Sequence, residues 1–245
     1  MANDRPAPDP ARAVVVMPTY NEREMLWQIA QAVLALPGGW RLLIVDDNSP
    51  DGTGQLANEL AQREARLTVL HRQEKQGLGP AYLAGFTELL ARPDVDFLFE
   101  MDADFSHNPA DLPRLLEASR NADLVIGSRY VPGGRTEGWS LRRRLLSRWG
   151  NAYVRLVLGI PIHDATAGFR CFRRRALETL DFHAINAKGY GFQIEMAYRT
   201  IQAGLRVAEV PIVFTERRAG QSKMSGSIVT EALALPWRLK AGKRE

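Results

Sequence analysis

The sequence predicts an α/β fold in which a mostly parallel sheet is flanked by helices. Short apolar, β-branched runs alternate with longer stretches of helical periodicity. Acidic residues gather just past the carboxyl ends of those runs, where open α/β sheets hold their ligands. The chain has 245 residues, 45% of them hydrophobic, which is material for a substantial core. With no internal repeat or linker in view, one domain is expected over 13–225. A disordered, proline-rich leader is expected at 1–12 and a basic amphipathic tail at 226–245.

Ala13 to Met17 (AVVVM) reads as the first strand, and Pro18-Thr19-Tyr20-Asn21-Glu22 as the loop after it. A helix from Glu22 to Leu36 sets Leu26, Ile29, Val33 and Leu36 on one face, and Pro37-Gly38-Gly39 stops it. Arg41 to Val45 is a second strand that ends in Asp46-Asp47 and a turn through Asp51-Gly52. A helix from Thr53 to about Ala65, a strand at Leu67 to His71 and a helix from Leu78 to Ala91 continue the alternation. Beyond the centre, Pro109 to Ser119 reads as a helix and Asp123 to Gly127 as a strand running into Ser128-Arg129-Tyr130. Trp139 to Leu158 is long, arginine-rich and amphipathic. His163 to Phe172 is extended, Tyr190 opens a helix with Ile194, Tyr198 and Ile201 on one face, and Arg206 to Phe214 is the last strand.

Phe97 to Pro109 (FLFEMDADFSHNP) is the stretch around which these elements are arranged. Phe97, Leu98 and Phe99 form a buried strand that runs into Asp102 and Asp104. Continued period-two alternation puts both carboxylates on one side, and two like charges so close are costly unless a cation lies between them. A hard divalent ion with oxygen ligands, carrying a diphosphate, accounts for the pair. So does a solvated turn ahead of a helix opening at Asn108-Pro109.

Composition narrows the class further. A single cysteine, Cys171, excludes an intramolecular disulfide and fits a reducing compartment. The polar N-terminus lacks the apolar stretch of a signal peptide, and no apolar window is long enough to span a bilayer. The net charge of +4 is concentrated in arginine clusters at 142–148 and 173–175 and at the C-terminus, a pattern suited to anionic partners or to solvated faces. The sequence has no Walker loop, no G-x-G-x-x-G after the first strand, no serine nucleophile elbow and no paired-histidine zinc motif. Phosphate handling therefore falls to a metal and arginines. The four histidines are scattered and read as structural or surface residues, with contact to substrate as the alternative for His107.

The ordered blocks PTYNE, DDNSPDGT, MDADFSHNP, GSRY, TAGFRCF, YGFQIE and RRAGQSKM together resemble family 2 glycosyltransferases, in particular the dolichol- and polyprenol-phosphate mannosyltransferases. The resemblance runs from Ala13 to Met224. It implies a GT-A fold, a nucleotide-diphospho-sugar donor, and Mg²⁺ or Mn²⁺ at Asp102 and Asp104. It implies further that Pro18, Tyr20, Glu22, Val45 and Asp47 hold the base and ribose, and that Asp102, Ala103 and Asp104 bind metal and diphosphate. Arg129, Arg217 and Lys223 match the cations that clamp the diphosphate. Asp104, Arg129 and Lys223 are thereby the candidate catalytic residues. Ser106 stands where some relatives place a third ligand, and is a weaker one. Glu195 either touches sugar or acceptor, or is simply an acid in the first turn of a helix.

The activity implied is inverting transfer of mannose from GDP-mannose to a polyprenyl monophosphate. A UDP-sugar donor and a catalytically silent nucleotide-binding module are the alternatives. The expected setting is the cytoplasmic face of a membrane, touched peripherally through 139–158 unless that stretch is an ordinary packed helix with a solvated arginine face. Either a membrane-protein partner or a larger protein of which this is the catalytic part is expected, and no nucleic acid.

Overall fold

The computed structural model describes residues 7–185, 187, 189–216 and 226–242. A seven-stranded sheet forms its centre. The first four strands are β1 (Ala13–Thr19), β2 (Arg41–Asp46), β3 (Leu67–His71) and β4 (Phe97–Glu100). They are followed by β5 (Leu124–Ser128), β7 (Arg170–Arg173) and β8 (Val207–Pro211), in the spatial order β3-β2-β1-β4-β7-β5-β8. A separate ribbon pairs β6 (Arg135–Glu137) with β9 (Val213–Thr215). All pairings are parallel except those of β7, which lies antiparallel between β4 and β5. The expected mostly parallel sheet is thus present, with one reversed strand at its middle.

Strand residues alternate between two cores. Val14, Val16, Leu43, Val45, Leu98, Leu124, Ile126 and Phe172 face one side, and Val15, Met17, Leu42, Ile44, Phe97, Phe99, Val125 and Cys171 the other. A sheet buried on both faces needs apolar residues at successive positions, which is why AVVVM and RLLIV read as unbroken runs. Helices α1 (Arg23–Leu34), α2 (Thr53–Arg63) and α4 (Leu112–Ala118) contribute to the second core. Helices α3 (Leu78–Leu90), α5 (Leu141–Leu158), α6 (Arg174–Thr179) and α7 (Tyr190–Gln202) contribute to the first. Gly85 lets α3 lie close on the sheet, since a Cβ there would come within 2.7 Å of Val16 Cγ1.

Several boundaries differ from expectation for physical reasons. The last strand breaks at Ile212, a buried residue whose amide donates to Ser128 O while its carbonyl accepts from Arg135 N. The chain thereby passes from the large sheet to the ribbon. Helix α6 is an addition to the expected elements; its first residue, Arg174, donates to the carbonyl of Leu90 at the end of α3 and to those of Arg92 and Val95 in the loop after it, contacts made only in the folded chain. In the stretch read as a leader, Pro10–Arg12 forms a 3-10 turn and Arg12 pairs with Asp96. The tail forms α8 (Gly226–Ala241), held against α5: Tyr153 Oη donates to Leu233 O, Trp237 Nε1 to Tyr153 Oη, and Lys240 Nζ to Val157 O. Among the described residues, no helix is long and apolar enough to cross a membrane.

Candidate active site

The carboxyl ends of β1, β2 and β4 open onto one edge of the sheet. At the end of β1, Thr19 Oγ1 donates to Asp46, and Asn21, with φ of 60°, turns the chain toward α1. Pro18 lies within the strand opposite Val45, where it has β2 on one side only because β4 stops at Glu100, opposite Val16. A residue lacking an N–H is tolerated at such an edge. Glu22 precedes α1, and its amide donates to Thr53 Oγ1. The Tyr20 ring carries the Lys75 ammonium 3.7 Å from its centroid.

The two acids after β2 have different partners. Asp46 accepts from Thr19 and from the Ser49 amide and hydroxyl, so it fixes the loop. Asp47 meets Arg72 at 2.5 Å in a largely buried pair. Burial raises the Asp47 carboxyl above its ordinary range, with Asp46 adding to the shift and Arg72 and Lys75 opposing it. Pro18, Tyr20, Glu22, Val45 and Asp47 therefore sit on neighbouring strand ends and loops. Arg72 and Lys75, which the sequence reading passed over, stand among them. Their clue was two cations just after the third strand.

Beyond β4 the structure corrects one expectation. The strand ends at Glu100, so Asp102 and Asp104 lie on an irregular loop and not on a continuing strand. Strand alternation therefore says nothing about where the two carboxylates point. Phe105 adopts a left-handed φ of 59°, an unusual conformation for a bulky residue and one that collects at functional loops. Around it, the Ser106 amide donates to Asp104 Oδ1 at 3.0 Å, and the Asp102 amide donates to His107 Nδ1 at 3.3 Å. The His107 ring stacks on Phe169 and meets Phe214 edge-on. Ala103 and Asp104 are buried, and Asp102 is partly exposed.

The hydroxyl of Ser106 is buried without a hydrogen-bond partner among the described residues. Two carboxylates and an orphan hydroxyl form an all-oxygen donor set, which suits Mg²⁺ or Mn²⁺. No cluster of three or more His, Cys, Asp or Glu ligands occurs among the described residues.

Arg129 follows β5 and is almost fully buried. Its backbone amide, Nε and Nη2 all donate to Asp164, at 2.9, 2.7 and 2.6 Å, and Nη2 also reaches Thr166 Oγ1. Such a two-pronged pair fixes the plane of the guanidinium. Glu209 in turn accepts from the amides of His163 and Asp164 and so holds the loop that carries Asp164. Asn151 of α5 exchanges hydrogen bonds with Thr166. Trp139 and Phe214 lie against the Arg129 guanidinium. A cleft is lined by Asp102, His107, Arg129, Thr166, Gly168 and Gln193, among others. The blocks TAGFRCF and YGFQIE pointed to this region, but Asp164, Thr166 and Gln193 were not assigned in advance, because each acts through a contact distant in sequence.

Other residues are placed differently. Glu195 does not line the cleft; its carboxylate accepts from the Ala187 amide and from Arg199. Arg217 and Lys223 lie outside the described residues.

The residues 14–181 match the family model described as glycosyl transferase family 2. The chain is 53% identical to the polyprenol monophosphomannose synthase of Mycolicibacterium smegmatis over 91% of this chain and 84% of that one. It is 51% identical to the undecaprenyl-phosphate mannosyltransferase of Micrococcus luteus over 91% of each. Among solved structures it resembles glucosyl-3-phosphoglycerate synthase from Mycobacterium tuberculosis in complex with phosphoglyceric acid, with a TM-score of 0.66 and 22% identity over 92% of this chain and 80% of that chain. The same enzyme in complex with Mn²⁺, UDP-glucose and phosphoglyceric acid matches with a TM-score of 0.65 and 22% identity, over 92% of this chain and 79% of that chain. These two likenesses establish the fold. The protein is a glycosyltransferase, and the chain belongs to glycosyl transferase family 2, among the relatives of those two mannosyltransferases.

Proposed function

We propose that this enzyme moves mannose from GDP-mannose to the phosphate of a polyprenyl monophosphate, with inversion at the sugar carbon. The observation that carries the reading is the loop after β4, which carries Asp104 and the orphan Ser106 hydroxyl and brings Asp102 to a cleft that Arg129 also lines. The names of the two mannosyltransferases, each matched over 91% of this chain, support the sugar and the lipid acceptor. Pro18, Tyr20, Glu22, Val45 and Asp47 are the candidate contacts for base and ribose.

Asp102 and Asp104, with Ser106, would hold Mg²⁺ or Mn²⁺, which when bound neutralises charge gathering on the leaving diphosphate. Arg129, oriented by Asp164, supplies a fixed positive charge beside it, and Arg217 and Lys223 are proposed to add to that charge. In the reaction, an acceptor phosphate oxygen forms a bond to the sugar C1 as the bond from C1 to the diphosphate oxygen breaks and GDP leaves. A phosphate monoester has its second pKa near ~6, so this oxygen is already ionised at neutral pH and needs no strong general base. The enzyme's task is then alignment and charge stabilisation. The acceptor stays in its bilayer, so the protein is proposed to work at the cytoplasmic face of the membrane.

A transfer assay with radiolabelled GDP-mannose and UDP-glucose against polyprenyl phosphate tests the proposal. Label from GDP-mannose alone is expected in the lipid fraction. Transfer only from UDP-glucose would replace the donor, and no transfer from either would favour a silent nucleotide-binding module.

A further inference from the structure

The cleft has a floor that the mechanism above leaves unused. Gln193, in the first turn of α7, lines the cleft together with Asp102 and Arg129, yet only 1% of its surface is exposed. Neither its amide oxygen nor its amide nitrogen has a hydrogen-bond partner among the described residues. Buried amides are nearly always paired, and one left open on both halves calls for an explanation. Glu100, whose carboxylate oxygens also lack a well-formed hydrogen bond among the described residues, is its polar neighbour: the pair lies outside strict hydrogen-bond geometry, yet the amide still acts as a donor toward the carboxyl and opposes the rise of its pKa.

Gly168 supplies the space above. A Cβ there would sit 3.8 Å from Gln193 Nε2 and 3.8 Å from His107 Cε1, filling the gap between the two side chains. The missing side chain leaves a small polar cradle beside the metal and diphosphate residues. An amide offers a donor and an acceptor side by side, which matches hydroxyls, since each of them both donates and accepts. It is a poor partner for a phosphate, which draws on cations, and Arg129 already provides one.

Resting on the donor reading above, we propose that Gln193 reads hydroxyls of the transferred sugar from the floor of the cleft, in the space that Gly168 keeps open. A substrate hydroxyl then completes the hydrogen bonding of an amide whose polar neighbour among the described residues, Glu100, lies outside good hydrogen-bond geometry. A site built this way discriminates strongly against a sugar with a misplaced hydroxyl, because the buried amide would be left without a partner.

Titration calorimetry in Mn²⁺ tests this with two pairs of probes, GDP-mannose against GDP and UDP-glucose against UDP. The pair that wild-type protein binds more tightly is then used for the variants. For Gln193→Leu, affinity for the sugar nucleotide is expected to fall by about tenfold while affinity for the matching diphosphate stays within about twofold, the scale of losing hydrogen bonds made only to the sugar. The retained diphosphate affinity also reports an intact fold. Gly168→Ala, whose added methyl takes up space in the cradle in ordinary van der Waals contact with Gln193 Nε2, is expected to shift the same difference in the same direction. Equal losses for both members of the pair, or no loss for the sugar nucleotide, overturn the proposal. Tighter wild-type binding of the UDP pair overturns the GDP-mannose reading alone and leaves the Gln193 comparison intact. Wild-type protein that binds neither pair overturns both.

Discussion

Asp104 accepts a hydrogen bond from the Ser106 amide, and an asparagine in its place keeps that bond through its own carbonyl oxygen. Asp104→Asn is therefore expected to fold normally while losing transfer by about 100-fold or more, the scale of removing a principal electrostatic stabiliser. Excess chelator should act on wild-type protein in the same way, and transfer undiminished by chelator would remove the metal from the mechanism. Glu100 presents a different case. Burial pushes its carboxyl up to about 7, with the Arg170 charge and the Gln193 amide opposing the shift. In the metal-free protein, the folded state then holds a proton that the unfolded chain releases near its ordinary 4.5. The stability this contributes is complete below 4.5 and is lost as the pH rises through about 7. Glu100→Gln has no such titration. Melting temperatures of wild type and variant should diverge over that window, wild type falling further by the equivalent of about 3 kcal/mol at most. Parallel profiles would show that Glu100 is not buried as described.

At the scale of elements, α5 presents an apolar stripe that is exposed among the described residues. Leu141, Leu145, Trp149 and Leu156 recur at helical spacing and are 65, 59, 58 and 81% exposed. Trp149 stacks on Tyr153, which receives the Trp237 indole N–H from α8, so aromatic rings suited to a headgroup layer line the seam of two helices. Two residues of 139–158 depart from the expected membrane-facing surface. Trp139 is buried beneath Arg143 and against Phe214, and Arg143 is held by Glu216, so neither is available to lipid. Arg142, Arg144 and Arg148 are exposed. Reversing the charge at Arg142 and Arg144 is expected to weaken sedimentation with anionic liposomes by roughly 30-fold or more, at about 1 kcal/mol per arginine. Replacing Trp149 with alanine should weaken it further. Activity toward a short, soluble phosphate acceptor should survive both changes. Undiminished liposome binding would make α5 an ordinary packed helix with a solvated face.

At the scale of the whole molecule, β7 joins two parallel halves of the sheet and places Arg170 opposite Glu100. Both are fully buried, with Arg170 Nε 3.9 Å from Glu100 Oε2. Arg170 also donates to the carbonyls of Ala167 and Ala165, so the same side chain ties the sheet to the loop beneath the cleft. Arg170→Met strips the carboxylate of the cation beside it and removes the donor to two carbonyls. A destabilisation of about 3–5 kcal/mol is expected, as for other broken buried pairs. Adding Glu100→Gln to that variant should recover part of it, because the uncompensated charge is then gone. Denaturant unfolding of the single and double variants checks both values.

The sequence by itself determined the α/β class and the identities of most strands and helices, because a sheet buried on both faces demands unbroken apolar runs and its flanking helices demand one apolar stripe each. It also located Asp102, Asp104 and Arg129 just past strand ends, since chain order alone puts those positions at the ligand edge of such a sheet. Only the tertiary structure decided what each of these side chains touches. Asp164 and Glu209 orient Arg129 from 35 and 80 residues away, and nothing local to either announces the pairing. The reversal of β7 and the break at Ile212 depend likewise on which neighbour accepts each backbone hydrogen bond. The open amide of Gln193 became visible only when the strand carrying Glu100, the loop carrying Gly168 and the helix carrying Gln193 were brought together, because an unpaired polar atom is defined by surroundings that the linear chain does not contain.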